Sequence, residues 1–174
     1  MAPRPPRAVR EGGVRDMADT NDPPARRKKV LFLCTGNACR SQMAEGWARA
    51  LKGDEIEAFS AGVAPCYVHP LAVRVMLEAG VDISGHYSKH VDDLDGIAFD
   101  YVVTLCDYAD EACPPRPDHG KRLHRPFEDP IHATGTESEV LARFRSVRNQ
   151  IREFVKWMPW NLDAAGRDIP DEDR

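Results

Sequence analysis

The stretch that most constrains this chain is an apolar run, residues 30–33, that ends in Cys34 and is followed by Gly36, Arg40 and Ser41. The apolar positions after it have the spacing of one helical face: Met43, Trp47, Ala50 and Leu51. The pattern predicts a buried strand, a tight loop and then a helix. Cys34 would then stand at the carboxyl end of a strand, where open α/β sheets bind ligands.

A loop of this kind is suited to a tetrahedral oxyanion. Its backbone N–H groups and the N-terminus of the following helix converge on one point. The guanidinium of Arg40 adds a planar fork of donors for the same anion. The predicted anion-binding residues are therefore Thr35, Gly36, Asn37, Ala38, Cys39, Arg40 and Ser41.

The same groups act on the thiol of Cys34. A helix N-terminus and a guanidinium both favour the thiolate, so we expect the pKa of Cys34 to be depressed. The hydroxyl of Ser41 is a further candidate donor to the sulfur. Cys34 is thus predicted to be a nucleophile inside an anion-binding loop, the alternative being a buried structural cysteine at a strand end.

The remaining periodicities predict an α/β domain. Further strands are expected at 55–60, 100–106 and 122–127, and a helix at 69–80 that stops at Gly80. Thr136 and Glu139 form a capping box that starts a long final helix. The order β-α-β-α-β-β-α, with parallel strands joined by crossovers, predicts a three-layer αβα sandwich.

Composition limits the class of protein. At 174 residues we expect one folded domain, 29–160, between a disordered extension, 1–28, and a polar tail, 161–174. The net charge of −4 gives no reason to expect nucleic acid as a partner. There is neither a membrane-length apolar run nor a secretory signal. Five cysteines without a disulfide framework indicate a reducing cytoplasm, and we expect a monomer.

Cys106 and Cys113 flank a short acidic segment with helical propensity. Cys106 ends a predicted strand, as Cys34 does, so the two thiols are expected at the same sheet edge. A helix from 106 to 113 would separate the two Cα atoms by about 10.5 Å, whereas a disulfide requires roughly 4.4–6.8 Å. We therefore predict a redox switch that is helical when reduced and unwound when oxidised. Two unrelated structural thiols and a zinc site are the alternatives, although no spacing typical of zinc ligands is present.

The loop resembles that of the low-molecular-weight protein tyrosine phosphatase fold. The longer string, CTGNACRSQMAEGWA from Cys34, together with Cys106 and Cys113, resembles the thioredoxin-coupled arsenate reductases of that fold. The resemblance implies a four-stranded parallel sheet with flavodoxin-like winding. It implies reduction of arsenate to arsenite by Cys34, Cys106 and Cys113 in turn, with thioredoxin or a similar thiol carrier as reductant. It also implies no bound metal or organic cofactor, and phosphate and sulfate as weakly competing anions.

Further roles follow from the resemblance. Asp129, in an Asp-Pro pair, is expected to be the general acid, with Glu128 as the weaker candidate. Asn37 is expected to brace the loop through its side chain. Some members bind potassium beside the loop, and the matching positions are Asn37, Glu45, Ser60 and Lys89. Because Lys89 stands where those members have an acidic residue, its ammonium is expected to take the place of the ion.

Two other functions stay open at this point. A phosphatase acting on phosphotyrosine would need Cys34, Arg40 and Asp129 but neither Cys106 nor Cys113. Ile131 stands after Asp129-Pro130, where such phosphatases carry an aromatic residue. A thiol redox sensor would instead expose the Cys106/Cys113 switch to a partner and turn over no anion.

Overall fold

The predicted strand before Cys34 is β1, Lys28–Cys34, and it lies inside a four-stranded parallel sheet. The computed structural model describes residues 25–163. The other strands are β2, Ile56–Gly62, β3, Tyr101–Thr104, and β4, Lys121–His124. Their order is β2-β1-β3-β4 with every pair parallel, which is the flavodoxin-like winding expected.

Helices cover this sheet. They are α1, Arg40–Lys52, α2, Pro70–Glu78, α3, Asp107–Ala112, α4, Glu137–Lys156, and α5, Trp160–Asp163, with 3-10 turns at Val91–Leu94 and Pro130–His132. Helices α1, α2 and α4 pack on one another. Every side chain of β3, and of β1 from Val30 onward, is buried, so both faces of the sheet are covered. The three-layer α/β prediction is confirmed. None of the helices described is both long and apolar enough to span a bilayer.

Local signals fixed the ends of two helices as predicted. The Thr136 hydroxyl accepts the N–H of Glu139, whose carboxylate accepts the N–H of Thr136 in return, so the capping box of α4 is formed. Gly80 has φ +84°, a left-handed conformation that ends the run begun by α2. The strand boundaries differ from the predictions by one to three residues.

The ends of the fold differ slightly from the predicted domain, 29–160. Strand β1 begins at Lys28, and Arg26 donates to the Asp100 carboxylate at 2.8 Å. At the other end α5 runs to Asp163 and buries Leu162 fully, although 161–174 were predicted to be a polar tail. The rest of both predicted tails, 1–24 and 164–174, lies outside the described residues.

Strand register brings the carboxyl ends of all four strands to one edge of the sheet. Cys34 pairs with Gly62 on β2, while Leu33 pairs with Thr104 on β3, which pairs with His124 on β4. A Cβ on Gly62 would lie 2.5 Å from the carbonyl oxygen of Thr35, so a glycine lets β2 approach the loop this closely. The carboxyl edge of the sheet therefore carries the loop after Cys34.

The capping box yields a stability prediction. Thr136→Ala removes the hydroxyl that accepts the Glu139 N–H, and we expect it to lower the free energy of unfolding by about 1 kcal/mol. Chemical denaturation measures this, with Ser138→Ala in the same exposed first turn as a control that should change it little. Equal losses in the two variants would contradict a specific capping role for Thr136.

Candidate active site

The Cys34 thiol is buried at the end of β1, with its sulfur 2.8 Å from the hydroxyl oxygen of Ser41. The backbone N–H of Ser41 is a second donor to that sulfur. Asn37 Nδ2 donates to the Ser41 oxygen at 2.8 Å. Because a nitrogen donor already occupies a lone pair of this oxygen, the hydroxyl hydrogen is free to point at the sulfur.

Asn37 is the centre of the loop's hydrogen bonding. It is fully buried with φ +46°, a left-handed conformation that asparagine tolerates better than most residues. Its Nδ2 also donates to Ser60 Oγ on β2 at 3.0 Å. Its Oδ1 accepts from Gln42 Nε2 and from the Lys89 backbone N–H, both at 3.0 Å. These are bracing contacts of the kind that the resemblance implied.

Two residues that hold the loop were missed by sequence reasoning. Gln42 Nε2 donates to the carbonyl oxygens of Asn37 and Tyr87, both at 3.1 Å. Ser88 Oγ donates to the carbonyl oxygens of Gly36 and Asn37 at 2.9 and 3.0 Å. Of the two, only Gln42 could have been found from the sequence. It is three residues before Glu45 and so shares a face of α1 with a position already expected near the loop.

The segment 64–69 holds the loop through hydrogen bonds to the carbonyl groups of the loop. Backbone N–H groups of this segment donate to Thr35, Gly36 and Ala38 at 2.9, 3.1 and 2.9 Å. Within the segment, the Cys66 side chain is exposed and lies 3.6 Å from the Gly36 oxygen. The predicted loop residues are thus held by three other parts of the chain: Ser60 on β2, the segment 64–69, and residues 88–89.

Burial raises the pKa of both loop cysteines. It raises the pKa of Cys34, while the Ser41 hydrogen bonds and the Arg40 charge act in the opposite direction. The prediction of a depressed pKa for Cys34 is therefore wrong for this geometry, because removing a thiolate from water outweighs those donors. Burial also raises the pKa of Cys39, the residue before α1, which suits a neutral packing role.

Arg40 and Asp129 form an ion pair beside the loop. Arg40 Nη2 lies 2.7 Å from Asp129 Oδ2, and Arg40 Nη1 donates to the Phe127 carbonyl at 3.1 Å. Asp129 Oδ1 accepts the Ile131 N–H, which fixes the carboxylate. The structure thus brings together the predicted cation and acid, but with the guanidinium directed at the acid. Glu128, the weaker candidate, is exposed beside Arg143.

The second and third thiols lie at the two ends of α3. The Cys106 sulfur is 3.3 Å from Thr35 Oγ1, in the loop, and accepts the Ala109 N–H at 3.4 Å. The Leu105 N–H donates to Leu33 on the neighbouring strand, so Cys34 and Cys106 follow adjacent strands as expected. Cys113 is buried at the other end, and all five cysteines are free thiols. The helix predicted for the reduced segment is present.

Glu45 is a buried carboxylate behind the loop. It accepts from the Ser60 hydroxyl, and its Oε1 lies 2.5 Å from Arg49 Nη2. Lys89 Nζ stands 4.0 Å from its Oε2, and burial lowers the pKa of Lys89. Lys89 Nζ thus lies beside Glu45, another of the positions that the resemblance named for the ion. Across residues 25–163 no group of three or more His, Cys, Asp or Glu side chains has the arrangement of a metal site.

The chain is similar to known proteins in both sequence and fold. Residues 29–165 match the model of the low molecular weight phosphotyrosine protein phosphatase family. An arsenate reductase of Bacillus licheniformis is 48% identical over 130 residues, 75% of this chain and 94% of that protein. A solved arsenate reductase in the phosphate binding state is 36% identical with a TM-score of 0.62, covering 79% of this chain and 98% of that one. A thioredoxin-dependent arsenate reductase of Corynebacterium glutamicum is 29% identical with a TM-score of 0.59, covering 80% and 64%.

The Ser41 contacts predict a pH effect on Cys34. Ser41→Ala removes the hydroxyl donor that lowers the pKa of the thiol, so the pKa rises further and less thiolate is present at a given pH. We expect the pH profile of Cys34 alkylation by iodoacetamide, mapped by peptide mass spectrometry, to move to higher pH. Ser88→Ala, which removes a hydroxyl bonded to the loop backbone, is the control. An unmoved profile in Ser41→Ala would refute the contact's effect on the thiol.

The Lys89 ammonium predicts indifference to potassium. Exchanging sodium for potassium at constant ionic strength and counter-ion should leave both the unfolding temperature and the catalytic activity unchanged. Lys89→Asp removes the cation and adds a carboxylate, so it should introduce a stabilisation specific to potassium. A clear potassium effect on the unsubstituted chain would count against the prediction.

Proposed function

This chain belongs to the low molecular weight phosphotyrosine protein phosphatase family, and we propose that it reduces arsenate to arsenite through three thiols acting in turn. One observation carries the proposal: the sulfur of Cys106 adjoins the loop of Cys34, 3.3 Å from Thr35 Oγ1, with Cys113 at the far end of the same short helix. Similarity to arsenate reductases, one of them thioredoxin-dependent, supports it.

In the first step arsenate binds the loop N–H groups and Arg40, whose guanidinium turns from Asp129 to the anion. The Cys34 thiolate, stabilised by both Ser41 donors, attacks arsenic and forms a sulfur–arsenic bond. An arsenic–oxygen bond breaks, and Asp129 gives a proton to the departing oxygen, which leaves as water. Once Arg40 has turned to the anion, Asp129 is released from the ion pair and faces the departing oxygen as the proposed acid.

In the second step the Cys106 thiolate attacks the sulfur of Cys34. The sulfur–arsenic bond breaks, and its electron pair stays on arsenic, which goes from the pentavalent to the trivalent state and leaves as arsenite. The two thiols lose two electrons and become the Cys34–Cys106 disulfide. The position of Cys106, at the end of the strand beside β1, suits this attack.

In the third step Cys113 attacks the sulfur of Cys106 and frees Cys34 as a thiolate. A helix over this span separates the Cα atoms of Cys106 and Cys113 by about 10.5 Å. The segment 107–112 therefore has to unwind before the Cys106–Cys113 disulfide closes. An external dithiol, thioredoxin or a similar carrier, then reduces that disulfide by exchange.

The remaining parts of the proposal concern surroundings and partners. The protein acts as a monomer without a bound metal or organic cofactor, and phosphate and sulfate compete weakly with arsenate for the loop. Five free thiols, three of them in the relay, require a reducing compartment, so we place the protein in the cytoplasm. The functional domain is the predicted 29–160 segment with the addition of α5.

Phosphatase activity is the second candidate. It is favoured by the meeting of Cys34, Arg40 and Asp129 at one site and by the family to which the chain belongs. Hydrolysis of a phosphate ester needs these three residues and makes no use of Cys106 or Cys113. The two candidates are therefore separable by a substitution at Cys106.

The deciding experiment measures arsenate-dependent NADPH consumption with thioredoxin and thioredoxin reductase, beside hydrolysis of para-nitrophenyl phosphate. Turnover of arsenate that disappears in Cys106→Ser supports the reductase. Ester hydrolysis alone, unchanged in Cys106→Ser, would replace the reductase with the phosphatase. If both activities are absent, with other thiol carriers tried as well, the result would favour a redox sensor.

The relay predicts that substitutions of its cysteines stop the reaction at different steps. Cys113→Ser should release about one arsenite per chain and accumulate a Cys34–Cys106 disulfide, because nothing resolves it. Cys106→Ser should release none and retain arsenic on Cys34. Mass spectrometry of the quenched proteins identifies both species, and Cys66→Ser, which removes an exposed thiol outside the relay, should turn over repeatedly. Repeated turnover by Cys113→Ser with thioredoxin alone would contradict the relay.

A further inference from the structure

Helix α3 has little apolar anchoring of its own. It is six residues long, and among its side chains Ala109 alone is buried, while Tyr108 is exposed. Helices this short are not stable by themselves in water, because nucleation costs more than one turn returns. The helical form of this segment therefore depends on contacts made by neighbouring elements.

Arg122, on the edge strand β4, holds the C-terminal half of α3. Its Nε donates to the Asp110 carboxylate at 3.1 Å, its Nη2 donates to the Asp110 carbonyl, and its Nη1 donates to the Cys113 carbonyl at 2.6 Å. The last carbonyls of a helix have no partner within it. A cation at this end also interacts favourably with the helix dipole. Arg122 supplies both the donors and the charge.

Thr104 adds a contact to Asp110, and His124 contacts Asp107 in the first turn of α3. Thr104 Oγ1 donates to Asp110 Oδ1 at 2.8 Å. The two ring nitrogens of His124 lie 2.8 Å from Thr104 Oγ1 and from Asp107 Oδ1. Together with Arg122 these side chains tie the segment between Cys106 and Cys113 to the sheet.

We propose that Arg122 is a positioning residue that stabilises the dithiol form of Cys106 and Cys113 and so raises the reduction potential of this pair. The inference rests on the relay proposed above. Arg122 contacts the Asp110 and Cys113 carbonyls in the helical form of the segment, and closing the disulfide unwinds that form. Selective stabilisation of the reduced form makes a disulfide more oxidising. The external dithiol then reduces the Cys106–Cys113 disulfide more completely, passing two electrons to it and becoming a disulfide itself.

The test is the equilibrium of the pair with dithiothreitol. Full-length protein carrying Cys34→Ser, so that Cys106 cannot pair with Cys34, is equilibrated in buffers of reduced and oxidised dithiothreitol. Acid quenching, alkylation and peptide mass spectrometry give the fraction of Cys106–Cys113 disulfide. We expect Arg122→Met to shift the equilibrium constant about tenfold toward the protein disulfide, which lowers the potential by about 30 mV.

A matched control separates this role from a general loss of stability. Arg148 is also half-buried, and its Nη1 donates at 2.7 Å to the Val75 carbonyl of α2, far along the chain from both cysteines. Arg148→Met should leave the potential unchanged. Arg122→Lys, which keeps the charge and part of the donor set, should recover part of the shift. Should Arg122→Met fail to fold by circular dichroism, Thr104→Val removes one tie and should shift the equilibrium in the same direction by about threefold.

The outcomes distinguish the two proposals. If the parent protein forms no Cys106–Cys113 disulfide at any buffer ratio, the relay itself is wrong. If it forms the disulfide, and the folded Arg122→Met and Thr104→Val variants titrate with the same midpoint as the parent, the positioning role of Arg122 is wrong and the relay stands. A shift of equal size in Arg148→Met would also overturn the role.

Discussion

The buried amide of Asn37 is the interaction on which the site depends. It joins the end of β1 to α1, β2 and the segment before the Val91–Leu94 turn through Ser41, Ser60, Gln42 and Lys89. Each of these groups is buried or nearly so, and a buried polar group left without a partner is costly. The observed conformation of the loop satisfies all of them at once. That conformation places the Ser41 hydroxyl against the Cys34 sulfur.

The same burial has a cost for the chemistry. Enclosing Cys34 raises its pKa, and the Ser41 and Arg40 contacts offset only part of that effect. Arg40 is meanwhile paired with Asp129. In the proposed reaction an incoming oxyanion separates this pair, which frees the Arg40 guanidinium for the anion and releases Asp129 for its role as the acid. Binding and acid catalysis are then coupled through one ion pair, whose rearrangement accompanies the first step.

The loop and α3 are held by different kinds of contact. The loop is held by β2, the segment 64–69 and residues 88–89 through hydrogen bonds, most of them buried, and in the proposed reaction it keeps its shape around an anion. Helix α3 buries one small side chain and is tied to the sheet by polar side chains at its surface, chiefly Arg122. Polar ties of this kind are individually modest. A short helix held in this way suits the proposed relay, in which this segment detaches so that Cys113 can reach Cys106.

The sequence by itself determined the features that depend on neighbouring residues: the strand, loop and helix around Cys34, the Thr136 capping box and the helix between Cys106 and Cys113. The parallel sheet was predicted from the order of these elements and from the family resemblance. Hydrophobic periodicity and capping are local, so they can be read without the fold. Only the tertiary structure decided that Ser88 holds Gly36, that Arg122 holds α3, and that Arg40 is directed at Asp129. These pairs are distant in sequence or set by packing. The direction of the Cys34 pKa also depended on the fold, because desolvation is a property of everything that surrounds the thiol.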